Sequence, residues 1–132
     1  MQVKLAESTE ELKLICPTLL QLRPQYSEET LIAQIQSQQK DGYRIAYVED
    51  GGNVLSVAGF VQGQKLAWQK HIYVDDLVTD EAHRSSGAGR LLIAWLKEFG
   101  RLHGCQQLHL DSGVLRFGAH RFYLREGFDI TS

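Results

Sequence analysis

The residues best equipped for chemistry stand together in Arg84-Ser85-Ser86-Gly87-Ala88-Gly89-Arg90, a run that closes a polar loop and opens a helix. Gly87 and Gly89 remove two Cβ atoms where the backbone turns into that helix, which leaves room for a ligand against main-chain N–H groups. The first N–H groups of any helix lack an internal acceptor, and the helix dipole adds partial positive charge at that end. Arg84 and Arg90 place full charges on either side. Such a turn suits an anion, above all a phosphate or pyrophosphate. A dinucleotide loop would need Gly-x-Gly-x-x-Gly behind the first strand of a parallel sheet, but position 92 is Leu and the glycines follow a meander. The Gly-Lys-Ser/Thr of a P-loop is also missing. His103, Cys105 and His109 run across a helix end, a turn and a strand without the spacing of metal ligands. Asp111-Ser112 has no histidine at the spacing of a hydrolase triad.

The elements that must position this run follow from the hydrophobic periods. Residues 1–5 read as a strand. Ser8 and Glu11 form a capping-box signature ahead of Leu12, Ile15, Cys16 and Leu19, with Pro17 expected to kink or split the helix. After a loop at 22–26, Ser27 starts a second helix carrying Leu31, Ile32 and Ile35. The period then changes to two, giving a strand at 43–48, a hairpin turn at 50–53 and a strand at 54–61. Gly59 marks a bulge or a close backbone approach. Residues 62–65 read as a second turn, 66–69 as the extension or start of a strand, and 72–78 as the strand entering the anion loop. Leu91, Leu92, Trp95, Leu96, Phe99 and Leu102 form the stripe of the clearest helix. The strand at 107–111 then lies parallel to 72–78. A short helix at about 115–125 and a last strand at 129–131 complete the reading.

The chain has 132 residues with 14 basic and 16 acidic side chains, a net charge of −2. That suits a single domain over 1–132 and gives no basic excess for a nucleic-acid partner. Two cysteines are too few for a disulfide framework, no apolar run is long enough for a membrane helix, and the N-terminus has no signal-peptide pattern. The expectation is a reduced, cytoplasmic domain without a membrane partner.

Two motifs in order, separated by a helix and a strand, give the chain its resemblance to the GNAT family of N-acetyltransferases. Arg84, Gly87 and Gly89 match the family's Arg/Gln-x-x-Gly-x-Gly/Ala signature, and Asp75-Asp76-Leu77 matches an acidic-acidic-Leu sequence often found shortly before it. Ala119, Phe122, Tyr123, Gly127 and Phe128 keep the spacing of a second family motif, with Arg116 where an Asn usually stands. The resemblance implies an α/β fold with a mixed, centrally splayed sheet flanked by helices. It implies acetyl-CoA as co-substrate, an amine as acceptor and no metal. The N–H groups of Ser85, Ser86, Gly87, Ala88, Gly89 and Arg90, with Arg84, would hold the pyrophosphate. Leu77, Val78, Thr79 and Phe122 would line the rest of the coenzyme, the main chain of Leu77 and Val78 pairing with the pantetheine amides.

Acetyl transfer by direct attack needs a neutral amine and a proton for the departing thiolate. An alkyl amine has a pKa near ~10.4, so a base must act at neutral pH. On the family's pattern Asp75 is the candidate base, or a ligand for a cationic substrate, and Tyr123 the proton donor. Strand alternation would put Asp75 and Asp76 on opposite faces unless a bulge intervenes. The resemblance places the acceptor near 22–26 and 62–73, and the two aspartates with the net negative charge would suit a cationic acceptor. It admits a homodimer, and also a non-catalytic CoA-binding sensor of the same fold. The chain ends soon after Gly127-Phe128, where relatives continue into another strand; a truncated strand or a partner covering the edge is expected.

Overall fold

The structure, a computed structural model, describes residues 1–110 and 120–124. In chain order these form β1 (Gln2–Leu5), α1 (Thr9–Leu22), α2 (Glu28–Gln39), β2 (Arg44–Asp50), β3 (Asn53–Lys65) and β4 (Gln69–Thr79). A short 3-10 turn (Glu81–His83), α3 (Ala88–Leu102), β5 (Gln107–Leu110) and β6 (His120–Tyr123) follow. The six strands make one open sheet in sequence order, antiparallel except for the parallel pair β4 and β5. This is the mixed α/β architecture expected, with α3 filling the crossover between the two parallel strands.

One core lies between α3 and the sheet, where Leu92, Leu96 and Phe99 meet Phe60, Ile72, Val74 and Leu108. Each such side chain contributes about 1.5–3 kcal/mol by leaving water. Trp95 packs at the edge of this core, while Leu91 and Leu102 reach solvent. The opposite face of β1 to β4 is covered by α1 and α2 through Leu12, Ile15, Leu19, Leu31 and Ile35. Both helices begin at serine caps with reciprocal bonds, Ser8 with Glu11 and Ser27 with Thr30.

Three expectations need correction. Pro17 neither ends nor splits α1. It lies on the solvent side, so the carbonyl it leaves without a donor can be hydrated, while Leu12, Ile15, Cys16 and Leu19 hold the helix by their burial. Residues 62–65 are strand, not turn; the ladder continues from Gln62 opposite Ile72 to Lys65 opposite Gln69, and 66–68 make the turn. Gly63 stands opposite His71, whose ring would lie 3.2 Å from a Cβ at position 63, a tight contact. The expected helix at 115–125 is strand over His120–Tyr123, paired antiparallel to β5. A four-residue segment containing Phe and Tyr has no helical commitment of its own, and the edge of β5 offers it a ladder. Trp68 is half-buried, stacked on His109 at 3.5 Å between centroids, and is not part of either main core. Arg116, Ala119, Gly127, Phe128 and the expected strand at 129–131 lie outside the described residues.

Candidate active site

The site is built on the end of β4 and the loop that follows it. The described pairing of β4 with β5 runs from His71 opposite Gln107 to Val74 opposite Leu110. Over 75–79, β4 is held by β3.

At that point β4 carries one residue more than β3. Gly59 pairs with Asp76 and Phe60 with Val74, so Asp75 is the inserted residue of a bulge. Val74 and Leu77, three apart, both enter the core under α3, while Val78 packs on the α1 and α2 side. Strict alternation thus no longer separates the two aspartates. Asp76 accepts from the Tyr43 hydroxyl at 2.6 Å and from Arg23 Nε at 2.8 Å. Arg23 Nη2 also reaches Asp76 Oδ1 at 2.7 Å and the Asp75 carbonyl at 3.2 Å. Burial pushes the Tyr43 hydroxyl far up its range, reinforced by the charge of Asp76 and, less, of Asp75. Tyr43 therefore stays a proton donor to Asp76 across the ordinary pH range. Its oxygen lies where a Cβ on residue 59 would be, which is why that position is glycine.

Beyond Thr79 the chain enters the anion loop. Asp80 caps the 3-10 turn: its carboxylate accepts from Gln21 Nε2 at 2.7 Å, His83 Nδ1 at 2.8 Å and the Ala82 N–H at 3.2 Å. These bonds, Gln21 first, hold its carboxyl below the usual range. Gln21 also accepts the Glu81 N–H at 3.1 Å, so one amide braces two residues of the loop. Gly87 caps α3 with φ +85 and ψ 5, a left-handed conformation that a Cβ disfavours, and no atom lies within 4 Å of where that Cβ would be. Gly89 serves packing instead. A Cβ there would come within 2.9 Å of Thr79 Oγ1, which is itself 3.1 Å from the buried Ser56 hydroxyl. The Ala88 N–H is taken by Ser86 Oγ at 3.2 Å, and the Leu91 N–H by the Gly87 carbonyl at 3.0 Å. Among the described residues none accepts from the N–H groups of Gly87, Gly89 or Arg90. Arg84, Ser85 and Arg90 are exposed around this helix end. Together they form an electropositive main-chain turn fit for a phosphate.

The remaining sequence candidates lie elsewhere. Phe122 packs against the core under α3, with Lys97 Nζ 4.1 Å from its ring centroid. Tyr123 pairs opposite Gln107, which is level with His71, and the Arg121 guanidinium lies over its ring at 5.0 Å. That is four strand steps from Asp75, or about 13 Å along the sheet. The structure does not bring Tyr123 beside Asp75. The Val78 carbonyl, assigned by the resemblance to pantetheine, already accepts from Ser56 Oγ at 2.9 Å.

A cavity of about 210 Å3 opens between the end of α1, α2 and the bulged part of β4, lined in part by Arg23, Gln25, Tyr26, Tyr43 and Asp76. It includes the 22–26 loop, part of the expected acceptor region. Two larger hollows, about 340 and 540 Å3, lie against β1 with β2 and across the outer faces of α1 and α2. Neither touches the loop or the bulge, so size is not the guide here. Gln21 and Arg23 were not foreseen. Their partners lie more than fifty positions away in the chain, and no local spacing announces them.

The sequence over residues 7–128 matches the Acetyltransferase (GNAT) family. An uncharacterised N-acetyltransferase of Bacillus subtilis, YhdJ, is 28% identical over 134 residues, covering 100% of this chain and 94% of its own. In fold the chain resembles a GNAT family acetyltransferase of Staphylococcus aureus, with a TM-score of 0.73 at 16% identity over 85% of this chain and 87% of the other. It also resembles the aminoglycoside N-acetyltransferase AAC(6')-Iy, solved in complex with CoA, at a TM-score of 0.69, 16% identity and coverage of 83% and 76%. With nearly the whole length matched, and with a bulged β4 that leads into a glycine-bearing helix entrance, the chain belongs to the GNAT family of acetyltransferases.

Proposed function

We propose that this protein transfers an acetyl group from acetyl-CoA to a primary amine by direct attack within a ternary complex. The observation that carries the reading is the set of N–H groups at Gly87, Gly89 and Arg90 that meet no acceptor among the described residues, at the helix entrance into which β4 leads. The diphosphate of CoA would sit on those groups between Arg84 and Arg90. Its pantetheine arm would run along 77–79 towards the bulge. Asp75, inserted at that bulge, would take the proton of the amine directly or through water. Asp76 is less suited to that task, because both its oxygens already accept hydrogen bonds. Tyr123 is proposed as proton donor to the thiolate on its motif spacing alone. The buried, unpaired Cys16 and Cys105 suit a reducing, cytoplasmic setting.

Calorimetry with CoA tests the first half, and free-thiol release from acetyl-CoA over a panel of amines tests the second. Asp75→Asn should lower kcat at neutral pH by roughly 10²-fold or more while leaving CoA binding within a few fold. Tyr123→Phe should reduce kcat in the same sense. The distance of Tyr123 from Asp75 favours a second reading, a CoA-binding sensor without turnover. Thiol release coupled to acetylation of any amine rejects it. Absence of CoA binding rejects both.

A further inference from the structure

The 210 Å3 cavity beside the bulge has a charged pair at one end, and the two partners are not equivalent. The Asp76 side chain is 14% exposed and has both oxygens engaged, Oδ1 by Arg23 and Oδ2 by Tyr43. The Arg23 side chain is 40% exposed. Its bonds use Nε and Nη2, so among the described residues Nη1 meets no acceptor. A second cation entering this end would meet a carboxylate already compensated and a guanidinium that repels it. An oxyanion would meet N–H donors on an arginine whose position is fixed by Asp76 and by the Asp75 carbonyl, so little freedom is lost on binding. The floor is apolar, from Leu19, Leu31 and Ile35, and suits a short methylene chain. The volume is enough for a short aliphatic acceptor.

We infer that Arg23 selects the acceptor: the amine acetylated here carries an oxyanionic group, such as a carboxylate, at the end remote from its nitrogen. The amine end would lie at Asp75 and the anionic end at Arg23. This reverses the cationic preference suggested by two adjacent aspartates, because Arg23 compensates Asp76 within the fold and places its own charge at this end. The inference rests on the acetyltransferase reading.

The test uses three amines of one length that differ at the far end: 4-aminobutanoate, butylamine and 1,4-diaminobutane. Binding to the CoA-loaded protein is read by calorimetry, which needs no turnover, and thiol release is read in parallel. The carboxylate should bind at least about tenfold tighter than the diamine, with butylamine between them, as a charge-assisted bond to arginine implies. Arg23→Gln should abolish the advantage of the carboxylate over butylamine and improve the diamine several-fold by releasing Asp76. Arg23→Lys should keep part of the order. CoA affinity measured on each variant shows that the site is still folded. A flat order, a preference for the diamine, no binding of any of the three to CoA-loaded protein, or an order that Arg23→Gln leaves untouched overturns the inference while the acetyltransferase reading stands. Failure to bind CoA at all overturns that reading first.

Discussion

Gly59→Ala should be far more damaging than an alanine in a strand ordinarily is, and the damage should depend on Tyr43. A Cβ built on residue 59 lands on the Tyr43 hydroxyl and Cζ, with Cε1 at 2.9 Å. Tyr43 is only 5% exposed and cannot simply swing into water without opening the core between α1, α2 and the sheet. Two costs follow. Overpacking a filled core costs typically 1–3 kcal/mol. Moving the hydroxyl off Asp76, to which it donates at 2.6 Å, forfeits a charge-assisted bond of about 1.5–3 kcal/mol. The sum is about 2.5–6 kcal/mol, or roughly 8–24 °C in Tm for a domain of this size. Urea denaturation followed by fluorescence and circular dichroism measures it, with coincident transitions as the check on two-state behaviour. The diagnostic is a double-mutant cycle. Tyr43→Ala alone should cost about 3–5 kcal/mol through its cavity, but in that background Gly59→Ala should add no more than about 0.5 kcal/mol. If the two changes add to within ~0.5 kcal/mol, the tyrosine is not what excludes a side chain at 59, and the account of the bulge is wrong.

Three further outcomes follow from the same contacts. His109 is 8% exposed, and burial, then the nearby charges of His71, Arg121 and Lys65, depress its pKa to about 4 from 6.5. The unfolded chain binds the proton first, so stability should be intact above about pH 6.5 and fall as pH drops towards 4, by up to about 3 kcal/mol; His109→Phe, compared with the parent in denaturant titrations from pH 7 to 4, should flatten that slope. Gly87→Ala should cost about 1–2 kcal/mol through its left-handed backbone and weaken CoA binding, whereas the loss from Gly89→Ala should shrink in a Thr79→Ala background, because only residue 89 is limited by a neighbour. Gln21→Ala should weaken CoA binding about two- to tenfold in calorimetry by releasing Asp80 and the Glu81 N–H, with little change in thermal stability, since its bonds are exposed.

The glycine-bearing helix entrance was legible in the sequence because its geometry is local. Gly87, Gly89, Ser85 and Ser86 are near neighbours, and a helix entrance needs only its own backbone to present N–H groups. Gly59 was legible for the same reason: a glycine inside an apolar strand needs an explanation, and a bulge with a close approach is the explanation found. What was not legible depended on distant partners. Gly63 looked like a turn until His71 supplied a reason for the missing side chain, and residues 120–123 looked helical until β5 supplied an edge. Pro17 looked disruptive because sequence does not say which side of a helix faces water. The paired aspartates were read as a uniformly negative site, because Arg23 stands 53 positions from Asp76.

The last turn of α1 gives these separate observations a common cause. Gln21 and Arg23 are two residues apart, yet Gln21 holds the entrance of the anion loop at Asp80 and Glu81 while Arg23 holds the bulge at Asp75 and Asp76. A single turn of helix therefore fixes the distance between the place that suits a diphosphate and the cavity that suits an acceptor. α3 does not do this, since it approaches the far side of the sheet. The turn is anchored in its own right by Leu19, buried against the sheet, and by the Arg23 N–H, which donates to the Leu19 carbonyl at 3.0 Å. On the acetyltransferase reading, two polar side chains on an apolar anchor would set the reach between thioester and amine. That reach decides whether bound partners react, because effective molarity depends on holding the two atoms within about 3–3.5 Å.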